Sequence, residues 1–218
     1  AVAKRTHAPG ATALYENGVM RDTPAPELLF TMADPPNLRH ATQCGEMLSV
    51  MGLLQQGRVH VGFLGAAEVD RFGNINTMWG SRQGSHVRLP GSGGACDIAS
   101  LSQRTVVLLE HDRQRLVQRV GHLTSPGNGK GNGWRREQGL PLRSGPSAII
   151  TTLGVMRFGE DGEAFLASIH PGASVEEALS QTGWTLRVAD DLSVTPEPTD
   201  HELAVIREID PHHFWTKL

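Results

Sequence analysis

RVHVGFLGAAEV, from Arg58 to Val69, is an apolar run rich in β-branched residues that has the length and bounds of a buried strand. Immediately before it, Glu46 to Gln56 spaces Met47, Val50, Met51 and Leu54 at i, i+3, i+4 and i+7, which is one face of a helix, and Gly57 supplies the stop. A helix feeding a strand is the repeating step of an α/β fold. Working outward, Thr105 to Glu110 (TVVLLE) and Ala148 to Thr152 (AIITT) read as two more buried strands. Ser174-Val175-Glu176-Glu177 carries a serine cap with glutamate at the third helical position, and Thr199 to Ile209 repeats that pattern. Leu153 to His170 has two apolar-patterned arms around Gly159-Glu160-Asp161-Gly162, which predicts an antiparallel hairpin and therefore a mixed sheet. The fold expected is a single α/β domain over residues 1–218, an open mixed sheet flanked by helices.

The 218 residues hold 20 Lys+Arg against 23 Asp+Glu, a net charge of −3, so no electrostatic excess points to nucleic acid or to an anionic membrane. Hydrophobic residues at 39% suffice for a core. Cys44 and Cys96 are too few for a disulfide framework, which fits a reducing, cytoplasmic setting. No apolar run approaches the roughly 20 residues that cross a bilayer, and AVAKRTHAPG lacks the apolar core of a secretory signal. Ala1-Val2-Ala3-Lys4 reads as the tail of a helix whose beginning lies upstream, so the chain is expected to be incomplete. The ten histidines show neither H-E-x-x-H nor finger spacing, and no metal is assigned.

Three segments combine glycine with acid or amide side chains at strand ends, where open α/β sheets place ligands. Leu14-Tyr15-Glu16-Asn17-Gly18-Val19 is a strand running into a carboxylate and then Asn-Gly turn chemistry; alone, it could be a solvated strand terminus. Gly91-Ser92-Gly93-Gly94-Ala95-Cys96-Asp97-Ile98 packs three glycines ahead of a helix start, which lets backbone N–H groups approach a ligand. It is neither a Walker A loop nor the dinucleotide fingerprint, because the Gly-Lys-Ser/Thr ending and the third glycine of G-x-G-x-x-G are missing. Asp70-Arg71-Phe72-Gly73-Asn74-Ile75-Asn76 reads as a tight connection held by Asx side chains. Ser125 to Arg136 (SPGNGKGNGWRR) is a loop, either a flexible excursion or a ligand-contacting lid. Cys96 could be a nucleophile, though a small buried thiol is the commoner use, and there is no G-x-S-x-G elbow for a serine hydrolase.

In this order the segments resemble the β subunit of family I CoA-transferases, most closely the glutaconate type, over nearly the whole chain. The resemblance is carried by Glu16-Asn17-Gly18, by A-x-x-V-D-x-x-G-N-x-N from Ala66 to Asn76, and by Gly91 to Ala95 with Asp97-Ile98. Thr124-Ser125-Pro126-Gly127 and Arg207-Glu208-Ile209-Asp210-Pro211 add to it. It implies that Glu16 is the covalent nucleophile, and that Gly93, Gly94, Ala95 and Asn17 serve the oxyanion and CoA-binding site. Coenzyme A is then a substrate, alongside an acyl-CoA and a small carboxylic or dicarboxylic acid, with no permanently bound cofactor. The resemblance also implies a partner α subunit in a hetero-oligomer, and a further βα unit before Ala1 whose loss would leave a sheet edge unpaired. A decarboxylase of an enoyl-CoA diacid and a ring-opening acyl-CoA hydrolase share the scaffold, but with an altered E-x-G pattern, so Glu16-Asn17-Gly18 favours the transferase. A scaffolding subunit would stay fully active when Glu16 is replaced. Tyr15 and Cys96 depart from the family pattern, so acyl preference does not carry over.

Overall fold

The helix and strand expected from Glu46 to Val69 both form, but the apolar run divides into two strands at Ala66-Ala67. The computed structural model describes residues 1–82 and 85–216 and separates into two compact units, Ala1–Leu53 with Glu197–Leu218, and Leu54–Pro196. In the first unit the short helix α1 (Val2–Arg5) precedes an antiparallel sheet of β1 (Ala13–Leu14), β2 (Val19–Arg21) and β3 (Gln43–Cys44). Helix α2 (Met47–Gln55) follows and stops at Gly57, whose φ of +70° is the left-handed C-terminal conformation glycine tolerates. Val50 and Leu54 are buried and Met51 half-buried, as the spacing predicts; Met47, in the first turn, stays exposed.

The second unit begins with β4 (Val61–Gly65), β5 (Glu68–Asp70), β6 (Ile75–Asn76) and the hairpin β7 (Trp79–Arg82) with β8 (Ser85–Arg88). Then come α3 (Ala95–Leu101), β9 (Arg104–Leu108), β10 (Leu116–Val117) and α4 (Trp134–Glu137). The unit closes with β11 (Pro146–Ile150), β12 (Gly154–Phe158), β13 (Ala164–Ile169), α5 (Val175–Ser180) and β14 (Arg187–Val194). Six strands form an open sheet in the order β14-β13-β12-β11-β9-β4. β4, β9 and β11 are parallel, whereas β12 is antiparallel to both β11 and β13, so the hairpin makes the sheet mixed as expected. A smaller sheet has the order β10-β5-β6.

Val107, Ile149, Met156 and Leu166 form the buried core of the second unit, joined by Val69 and Ile75 from the small sheet. The expectation that Arg58 to Val69 is a strand buried on both faces is corrected. β4 is a terminal strand, its inward residues Gly62 and Leu64 alternate with outward Phe63, and Phe63 is 66% exposed. Gly62 has no side chain because α3 crosses it: a Cβ there would stand 2.4 Å from Ile98 Cγ2.

Helix α6 (Asp200–Ile209) returns to the first unit and starts on a complete capping box between Thr199 and Glu202. Arg5 donates to Glu208 at 2.5 Å and the His7 imidazole meets Glu202 at 2.7 Å, which clasps α1 to α6. Helix α5 likewise starts on Ser174, whose Oγ accepts from Glu177 N at 3.1 Å.

Candidate active site

Glu16 stands at the tip of the connection between β1 and β2. Tyr15 N donates to Val19 O and Gly18 N to Tyr15 O, both at 2.9 Å, so Glu16 and Asn17 are the two central residues of a β-turn with glycine closing it. Gly18 has φ +98°, and a Cβ on it would come within 2.3 Å of Gly45 O, so only glycine fits. Asn17 fastens the turn sideways: its Nδ2 donates to Met32 O at 2.8 Å, and its Oδ1 accepts from Val19 N at 3.3 Å. One of its two amide hydrogens is thereby committed within the first unit. Beside it, Tyr15 is half-buried, and desolvation pushes its phenol pKa up against the opposing charge of Arg21.

Two residues unnoticed in the sequence hold the segment beneath this turn. Arg21 is 1% exposed and donates to four backbone carbonyls, of Thr23, Pro24, Asn37 and Arg39. Asn37 is also buried, and its Nδ2 donates to the same Met32 carbonyl that receives Asn17. The signal for Arg21 was present, since strand alternation places it two residues from buried Val19 and on the same face.

The glycine-rich segment lies in the second unit, so the structure brings Glu16 and Asn17 together in one unit and Gly93, Gly94 and Ala95 together in the other. Gly91 and Gly93 have φ of +102° and +50°, and Gly94 is the N-cap of α3. Gly93 presents bare backbone at the surface, while Gly94 is buried. The Ala95 N–H closes a turn onto Ser92 O at 2.9 Å, so a role as oxyanion donor would require that bond to be shared. Cys96 is exposed in the first turn of α3, and the expectation of a buried thiol is corrected. Both cysteines are free thiols.

The Asp70 to Asn76 turn is the Asx-held connection the sequence predicts. Buried Asp70 accepts from the backbone N–H groups of Phe72, Asn74 and Val120 and from Asn74 Nδ2, and desolvation raises its pKa against those bonds. Asn74 reaches further: its Oδ1 accepts from Gly127 N and Gly129 N, each at 3.0 Å, and its Nδ2 donates to Gly129 O. The Ser125 to Arg136 segment is thus fastened to the sheet rather than a free excursion, and it ends in the short helix α4. Among the described residues no three His, Cys, Asp or Glu side chains gather as a metal site, and no helix is long and apolar enough to cross a membrane.

Residues 7–180 match the family described as Coenzyme A transferase. The β subunit of the 3-oxoadipate CoA-transferase of Pseudomonas knackmussii is 37% identical over 214 residues, 96% of this chain and 81% of that protein. The crystal structure of glutaconate coenzyme A-transferase from Acidaminococcus fermentans superposes with a TM-score of 0.90 at 30% identity, covering 100% of this chain and 85% of the other. The decarboxylase AibA/AibB superposes with a TM-score of 0.82 at 31% identity, over 98% and 83% of the two chains. The open mixed α/β fold is the one these structures share, and with most of its length matched to them this chain belongs to the coenzyme A transferase family.

Proposed function

We propose that this chain is the β subunit of a heteromeric enzyme that moves CoA from an acyl-CoA to a small carboxylic acid, with Glu16 as the covalent nucleophile. The observation that carries the reading is the place of Glu16 at the tip of a turn that requires glycine at position 18. Such a turn fixes the backbone of Glu16 at the carboxyl end of a strand.

A carboxylate is a weak nucleophile in water and becomes a competent one where water is excluded and the oxyanion of the attacked carbonyl is stabilised. Attack of a Glu16 oxygen on the thioester carbonyl forms an acyl-glutamyl anhydride and expels CoA thiolate. The thiolate attacks the glutamyl carbonyl of the anhydride, which releases the original acid and leaves a Glu16–CoA thioester. The incoming carboxylate attacks that thioester, again expelling thiolate, and thiolate attack on the acyl carbonyl of the second anhydride yields the new acyl-CoA and frees Glu16. A serine ester would trap the acyl group, and a lysine amide would be too stable to return.

In this reading Gly93, Gly94 and Ala95 form a wall for the thioester, and Asn17 serves the oxyanion and CoA-binding function. The residues 1–218 act as one functional domain, with coenzyme A as substrate and no permanently bound cofactor, in the cytoplasm. The relatives are named as subunits of their enzymes, and exposed Phe63 (66%) and Trp215 (60%) support a chain that works against a partner. The named acids of those relatives, 3-oxoadipate and glutaconate, are the first acceptors to try.

The test is intact-protein mass spectrometry of the complex with the α subunit, following incubation with acetyl-CoA or succinyl-CoA. A CoA adduct removed by hydroxylamine or borohydride, and absent from Glu16→Gln, is the expected result, with transfer falling at least about a thousandfold in that variant. An acyl-CoA that is decarboxylated without any adduct would replace this reading with the chemistry of the decarboxylase relative. Full transfer by Glu16→Gln would leave the chain a scaffold.

A further inference from the structure

One side chain joins the Ser125 to Arg136 segment to the helix that carries the glycine-rich loop. Arg135 Nη1 donates to Pro126 O and Gly127 O, and its Nη2 is shared among Ala99 O, Ser100 O and Ser144 Oγ at 2.7–3.2 Å. Ala99 and Ser100 lie in the last turn of α3, where helical carbonyls lack intrahelical partners and where a cation is favoured. Gly145, with φ +134°, leaves the room the guanidinium occupies: a Cβ there would stand 3.0 Å from Arg135 Nε. The acceptors are all neutral, and burial lowers the Arg135 pKa to about 10, so the group remains a cation at neutral pH. Burying a charge against neutral acceptors is a costly way to fill space, and what it yields here is several directed bonds from one planar fork.

Thr124, the residue that leads into this segment, holds the other side of the glycine loop. Thr124 Oγ1 accepts from Thr77 N at 3.1 Å, and Thr77 O accepts from Gly91 N at 3.0 Å. Gly91 to Gly94 and α3 are therefore tied at both ends to residues 124–135, and that segment is in turn fastened by Asn74.

We propose that Arg135 is a positioning residue for the transfer reaction, setting the placement of the Gly93-Gly94-Ala95 backbone through α3. This rests on the reading of that loop as the wall of the thioester site. A small misplacement of such groups costs about a hundredfold in rate while leaving substrate binding largely intact.

The experiment compares wild type, Arg135→Lys and Arg135→Met, each in complex with the α subunit, using succinyl-CoA as donor. The amount of glutamyl-CoA adduct at completion counts competent sites, and its rate of appearance measures the chemistry per site. Expected is an unchanged final amount, a rate per site about a hundredfold lower in Arg135→Met, a KM for succinyl-CoA near that of wild type, and partial recovery in Arg135→Lys. A final amount that falls while the rate per surviving site holds would show a purely structural role and overturn the proposal, as would an unchanged rate. Amide hydrogen exchange over residues 91–101 separates this proposal from the function on which it rests. Should wild type form no adduct, the transferase reading fails by itself. Faster exchange in Arg135→Met confined to residues 91–101 would still uphold the anchoring, and unchanged exchange would overturn it.

Discussion

At Gly18, φ is +98° and a Cβ would meet Gly45 O at 2.3 Å and Glu46 C at 2.6 Å. Both the backbone conformation and the close approach of the 45–46 peptide therefore depend on a missing methyl group. Gly18→Ala is expected to destabilise the chain by about 1–3 kcal/mol, measured by urea unfolding, and to displace the turn that carries Glu16. A variant of unchanged stability would show that the 45–46 segment yields freely. Arg21 stands at the other extreme, a large cation made tolerable inside the first unit because four carbonyls of the 23–39 segment converge on its guanidinium.

Elements in the second unit are joined by buried polar side chains as well as by the sheet. His111, just beyond β9, meets Thr151 Oγ1 at 2.8 Å beyond the end of β11 and Ala178 O at 3.0 Å on α5. Burial lowers its pKa from the ordinary value of 6.5, so the folded chain keeps a neutral imidazole where the unfolded chain takes up a proton. The unfolded state then binds more protons below pH 6.5, and stability is full above that pH and falls as pH drops toward the depressed folded value. Between pH 7.5 and 5.5 the urea midpoint of the wild type is expected to fall more than that of His111→Gln, with a contribution of at most about 1.4 kcal/mol per pH unit. Parallel pH dependence in the two proteins would refute the assignment. The His170 imidazole meets the backbone carbonyl of the same Thr151 at 3.0 Å, so Thr151 is bracketed by two imidazoles.

On the scale of the whole molecule, each unit presents apolar surface. In the first, Phe30, Phe214 and Trp215 stack edge to face, with centroids 4.6 Å and 5.0 Å apart, and Trp215 Nε1 donates to Leu29 O. In the second, Phe63 points outward from β4, a terminal strand, which is where unpaired backbone and exposed apolar groups invite association. Phe63→Lys is expected to reduce concentration-dependent association, measured by light scattering on a size-exclusion column. Its effect on unfolding free energy should stay within about 0.5 kcal/mol, because the side chain is exposed. Undiminished association would place the contact elsewhere, the aromatic cluster of the first unit being the next site to alter.

The features written into the sequence alone are local. The caps at Ser174 and Thr199, the stop at Gly57, the hairpin around Gly159 to Gly162 and the Glu16-Asn17-Gly18 turn are each encoded within a few residues, because capping, turn geometry and strand alternation act over that range. The ordered motifs were also legible, and they pointed to the family that the comparisons show. Which charged and polar side chains are buried, and which strand lies at the end of the sheet, depends on packing between segments distant in sequence. Arg135 reaches Ala99 across 36 positions, His111 reaches Ala178 across 67, and Asn74 reaches Gly129 across 55. A run such as Arg58 to Val69 is equally apolar whether one or both faces of its sheet are covered, so the exposure of Phe63, like that of Leu108 on neighbouring β9, follows from which face another layer covers, which no local pattern contains.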